Sequence, residues 1–207
     1  MRDVLGTFFY GFHVIIHPFD GFWVLKHHRR KSWQAATIIL LLVLIATFVR
    51  MQMSGFLFMG NDPEQRNVLM GFVSTLVPLA MWVVVNWSVT TLFDGKGKMK
   101  EIYIFSCYAL LPMALINLPM ALISHFLSID EAVFMSVAMM ATDAWCLWLM
   151  LSGGAVVHDY TMFKSVITAV CTVLGIAAAA FLILVIYSSL SQLVNFFVTI
   201  GMEIKYW

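Results

Sequence analysis

Residues 90–105 read TTLFDGKGKMKEIYIF, three lysines, two acids and two glycines set between two of the most apolar parts of the chain. Such a strip can be a phosphate cradle, a catalytic loop or a hairpin between membrane spans. A phosphate-binding loop needs G-x-x-x-x-G-K-[ST] between a strand and a helix, with the hydroxyl on magnesium. Here Lys98 is followed by Met99, and both flanks are long apolar runs. The hairpin reading stands: Asp94–Gly95 supplies a turn, the lysines set orientation, and Lys100–Glu101 opens the next helix.

The rest of the chain agrees with a membrane hairpin. Of 207 residues, 62% are hydrophobic and 11% charged, against about 25% charged in an ordinary soluble domain. That is too little polar surface to face water, so an integral membrane protein is expected. Five runs are long enough to cross a bilayer as helices of about 20 residues: Trp33 to Val49, Val68 to Leu92, Ile102 to Ser124, Ala132 to Leu151 and Val166 to Ser188. The fold class is all-α: five transmembrane helices, with an N-terminal and a C-terminal interfacial amphipathic helix. Residues 1–207 form a single membrane domain, divided into a basic segment 1–32, a bundle 33–188 and an outer segment 189–207.

Lysine and arginine gather in cytoplasmic loops. Nine of the twelve (Arg2, Lys26, Arg29, Arg30, Lys31, Lys96, Lys98, Lys100 and Lys164) fall on one side of this alternation, and Arg50, Arg66 and Lys205 on the other. The N-terminus is expected in the cytoplasm and the C-terminus outside, in a multi-pass plasma-membrane protein. No cleavable signal peptide is expected, because the N-terminus lacks a small-residue cleavage site. Residues 4–16 place apolar side chains at helical spacing and read as a helix on the inner leaflet, followed by a basic collar facing anionic headgroups. Residues 189–207 read as an outer interfacial helix ending in Tyr206 and Trp207; the alternative is that the fifth helix simply continues.

Few residues can carry chemistry. Asp143 falls near the middle of the fourth span, where a carboxylate costs about 2.5–3.5 kcal/mol on insertion scales. It is expected to face the bundle interior, as a relay, a subunit contact or a hydrogen-bond partner of Asn86, Asn117 or a serine. Asn86 and Asn117 read as interhelical glue. Pro112 and Pro119 break the third span and, with Asn117, line a polar interior. His13 and His17 share a helix face but lack the glutamate of an H-E-x-x-H site, so no metal is expected. His158–Asp159 has no nucleophile at a recognisable spacing. Cys107, Cys146 and Cys171 are small hydrophobes inside spans. Gly175 and Ala179 make a close-packing face, internal or at a homodimer seam. No catalytic residue, cofactor or nucleic-acid partner is expected. Lys96, Lys98, Lys100, Arg29 and Arg30 are the expected contacts to headgroups or to a partner.

Residues 86–112, NWSVTTLFDGKGKMKEIYIFSCYALLP, resemble the central signature of bacterial Yip1-domain membrane proteins: an apolar span, a Gly-containing turn, a short amphipathic entry, then a tyrosine and a helix-breaking proline. The opening HPFDGFWVLKHHRRKSW is similar to theirs as well. The resemblance implies the five-span, N-inside topology and a role without catalysis. It suggests an accessory subunit of a larger membrane complex, such as a carbohydrate ABC importer with its permeases. Eukaryotic relatives act in vesicle traffic through a longer cytosolic region and a D-L-Y-G-P stretch, which this sequence lacks. A traffic-like adaptor and a small transporter or channel around Asp143 remain the alternatives.

Overall fold

The computed structural model describes residues 2–27, 32–53, 68–126 and 131–206. Arg29 and Arg30 lie outside the described residues. Among the described residues eight helices follow in order: α1 (Arg2–Ile16), α2 (Pro18–His27), α3 (Ser32–Met53), α4 (Val68–Leu92), α5 (Met99–Ala109), α6 (Leu111–Ile123), α7 (Ala132–His158) and α8 (Met162–Tyr206). Five stretches are long and apolar enough to cross a membrane: Trp33–Gln52, Leu69–Leu92, Met99–Ile123, Val133–His158 and Met162–Ile200. The all-α, five-span expectation is met.

The centre of the bundle is α3 against α5 and α6. Ala35, Ala36, Ile39, Val43 and Ala46 are fully buried on one face of α3, opposite Ile102, Phe105, Tyr108, Leu111 and Ala114. Lipid offers no hydrophobic drive between spans, so such packing depends on small residues that let backbones approach. The third span is broken at Pro112, whereas Pro119 lies inside the continuous α6 and does not end it. The Leu110 N–H is shared between the carbonyls of Ser106 (3.2 Å) and Cys107 (3.3 Å), and Pro112 stands in the first turn of α6. A proline is tolerated there because its missing N–H has no partner to lose.

The N-terminal segment is helical, as its spacing predicts, and packs more closely than the sequence indicates. α1 and α2 form a hairpin docked into the bundle. Val14 is fully buried, and the Tyr108 hydroxyl donates to the Thr7 carbonyl at 3.0 Å. The rings of Phe22 and Phe105 meet edge to face at 6.4 Å, and those of Phe19 and Trp148 at 6.3 Å. α2 runs beside α7 from Trp148 to Asp159, about 16 Å of helix. Periodicity shows that a helix has an apolar face; it does not say what that face meets. The deciding residue is Gly21, where a Cβ would stand 2.8 Å from the Cα of Val14.

The C-terminus also departs from expectation. The fifth span and the residues after it form one helix of 45 residues, about 67 Å long, with no break at residue 188. The alternative, continuation of the helix, is what is seen. Hydroxyls that could have ended it bond back to the preceding turn instead, as Ser189 does to the Val185 carbonyl (3.0 Å) and Thr199 to that of Asn195 (2.9 Å). Serine and threonine mid-helix take this option when no cap is on offer.

Candidate functional site

The opening strip and the His158–Asp159 pair, far apart in sequence, meet at the basic end of the bundle. The chain leaves α4 through a turn in which Phe93 and Gly95 donate to the Thr90 carbonyl at 3.1 and 2.8 Å. Asp94, not a glycine, takes the left-handed conformation (φ 58°), and no glycine among the described residues has positive φ. Aspartate tolerates that region. The glycines serve closeness instead. A Cβ on Gly95 would sit 2.7 Å from both His158 Nδ1 and the Tyr160 hydroxyl, and one on Gly97 2.7 Å from His158 Cε1.

The contact is specific. The Gly97 N–H donates to His158 Nδ1 at 3.3 Å. Accepting there places the imidazole proton on Nε2 of a neutral ring. Nε2 is buried without a partner among the described residues. Tyr160 stacks on the imidazole with centroids 5.3 Å apart, and its hydroxyl donates to the carbonyls of Phe93 (2.9 Å) and Thr90 (3.2 Å). Asp159 ends α7 in the left-handed conformation, φ 56°. It bridges Lys26 of α2 at 3.0 Å and Lys96 of the loop at 3.5 Å. The hydrogen bond from Lys26 is the main cause that holds its carboxyl below the usual range, with Lys96 adding to it. Lys26 also donates to the Val156 carbonyl at 3.2 Å. Lys164 lies over the Tyr160 ring at 4.3 Å, and Lys100 over that of Trp33 at 5.4 Å.

Three segments are thus fastened together: α2, the loop 93–98 and the α7–α8 turn. Chemically the cluster offers a neutral imidazole, two ammonium groups and one paired carboxylate, with no nucleophile beside the ring; it is built as a clamp. Lys96 is engaged with Asp159, whereas Lys98 and Lys100 are exposed. Lys26, Gly97, His158 and Tyr160 are the residues that sequence reasoning did not join, because a meeting of positions 61 residues apart has no local signature.

The intramembrane polar residues do not converge. Asn86 is buried between α4 and α8, where its Nδ2 donates to Thr172 Oγ1 at 3.1 Å; Thr172 in turn donates to the Thr168 carbonyl at 2.7 Å. Asn117 is buried in α6, its Nδ2 without a partner among the described residues. Pro112 is buried at the start of α6. Asp143 is exposed, which overturns the expectation that it faces the interior. The inward stripe of α7 is Thr142, Cys146, Leu149 and Gly153, while Asp143 shares the outer face with Met140, Ala144 and Leu147. One helical position turns a side chain by about 100°, so the buried Thr142 leaves its neighbour outside. Asp143 makes no hydrogen bond or ion pair with any described residue.

The family model of the Yip1 domain matches residues 12–200. The chain belongs to the Yip1 family. In this Yip1-domain chain the matched region runs from the middle of α1 to the later part of α8, and so takes in every segment of the clamp. No curated protein and no solved structure matches the chain.

Proposed function

We propose that this Yip1-family protein is a non-enzymatic scaffold or accessory subunit that docks a larger membrane complex through the outer face of α7. The observation that carries the reading is the position of Asp143. The carboxylate stands eleven residues into a 27-residue helix, about 16 Å from one end and about 22 Å from the other. It is exposed, between Met140 and Leu147, which are 71% and 60% exposed. An acid at that depth costs about 2.5–3.5 kcal/mol facing lipid; a partner helix that meets it lowers the cost. By the positive-inside rule the clamp end is cytoplasmic. A carbohydrate ABC importer is the specific assembly suggested by the family resemblance.

The test is a photo-crosslinking amino acid placed at Met140, next to Asp143 on the outer face, and used in native membranes. Docking predicts a discrete protein adduct from this position and not from Leu184 on α8. Labelling of lipid alone at Met140 sinks the proposal. Identification of the adduct as an importer permease, or as another multi-span subunit, decides between the specific and the general form.

A further inference from the structure

We infer that the helix docking on α7 presents a lysine or arginine opposite Asp143, at mid-bilayer depth, and that it belongs to a different protein. This rests on the docking role just proposed and names the chemistry of its partner.

Three observations lead there. First, Asp143 has one methylene between backbone and carboxylate. Lysine and arginine reach the interface from within a membrane along three or four methylenes; an aspartate about 16 Å from the nearer helix end does not. A partner that meets it must therefore do so where it stands. Second, no described residue of this chain meets it. No lysine or arginine occurs between Glu101 and Phe163, nor between Asn67 and Gly95. The other described bases within helices, Arg2 of α1, Lys26 of α2, Arg50 of α3, Lys100 of α5 and Lys164 and Lys205 of α8, stand within about one turn of a helix end. A second copy would bring another Asp143 rather than a cation. Third, the surrounding surface suits a helix. Ala141 and Ala144 flank the acid and are exposed, which lets a backbone approach closely. Val137, Met140 and Leu147 border them at 58%, 71% and 60% exposure. Methionine adapts its shape to whatever packs on it.

The experiment repeats the Met140 photo-crosslink in native membranes with Asp143 unchanged and with Asp143→Asn, Asp143→Glu and Asp143→Lys. Because Asp143 is exposed and makes no hydrogen bond or ion pair with a described residue, the variants should elute from size-exclusion chromatography as the parent does. The expected result is adduct yield retained in Asp143→Glu and reduced by more than about tenfold in Asp143→Asn and Asp143→Lys, since an unpaired charge left in the membrane is costly. Mass spectrometry of the adduct should find a partner peptide with lysine or arginine inside an apolar run. Retention of the adduct in Asp143→Asn, a partner peptide without a base, or an adduct to a second copy of this chain each overturns the inference while docking stands. No protein adduct in the parent overturns the docking reading itself.

Discussion

The backbone N–H of Gly97 points at Nδ1 of His158 across 3.3 Å, and a single added carbon on Gly97 would stand 2.7 Å from Cε1 of the same ring. The loop between α4 and α5 is therefore shaped to the end of α7.

Gly97→Ala tests that fit. The new methyl would also meet Val157 Cγ1 at 2.6 Å, too close for a Cβ contact. Neither the imidazole nor the valine is the far end of a flexible chain, so the loop must lift. Overpacking of this kind costs about 1–3 kcal/mol. A lower thermal midpoint in detergent is expected, with faster amide exchange at residues 95–98. An unchanged midpoint and unchanged exchange would show that the loop does not rest on the ring.

Acid should loosen the ion pairs of Asp159 only well below neutrality. A carboxylate with a depressed folded-state pKa adds stability that is fully present above its unfolded value, about 3.9. That stability is lost as pH falls through the lower folded value. Lys26 and Lys96 hold Asp159 in this sense. Asp159→Asn keeps a residue that tolerates φ 56° and removes the charge. The difference in thermal midpoint between parent and variant should be constant from pH 8 down to about 4 and shrink below that. A difference that varies between pH 5 and 8 contradicts the assignment.

Gly21→Ala tests the N-terminal hairpin. Its methyl would stand 2.8 Å from the Cα of Val14 and 2.9 Å from Cγ2. Backbone cannot rotate away, so α1 and α2 must separate, at a cost near the upper part of the 1–3 kcal/mol expected for overpacking, about 2–3 kcal/mol. Amide exchange in α1 should accelerate while that of α6 stays slow. If α1 and α2 did not rest on each other at these residues, exchange in α1 would ignore the change.

Asn86→Leu should be mild. Its bond to Thr172 is an interhelical amide contact, worth about 0.6–2 kcal/mol in membranes. Thr172 keeps its own bond to the Thr168 carbonyl after the change, so no donor is stranded. A loss of about 1 kcal/mol in reversible detergent unfolding is expected. A loss beyond about 3 kcal/mol would assign Asn86 more than the structure gives it.

Sequence and structure agree wherever the signal is local. Apolar length marks the five spans, Pro112 marks the break before α6, and Asp94–Gly95 marks the turn. The lysines of the strip lie at one end with Lys26 and Lys164, as their alternation along the chain requires. What escaped the sequence depends on partners. The face of α1 is apolar whether it meets lipid or Tyr108. Asp143 is an acid in a span whether it faces in or out, and only the stripe Thr142–Cys146–Leu149 decides. Gly95 and Gly97 look like turn residues, and their reason for being glycine is the imidazole of His158, far along the chain.

The length of α8 has a mechanical consequence. Its first turns follow directly on the Asp159–Tyr160 turn that the clamp holds, and beyond Thr172 and Gly175, which rest on α4, it is largely bare. The bare length beyond Gly175 is about 46 Å of helix, and a tilt of about 10° where it leaves α4 carries its far end by about 8 Å. It is a cantilever whose root is the contact of Thr172 and Gly175 with α4.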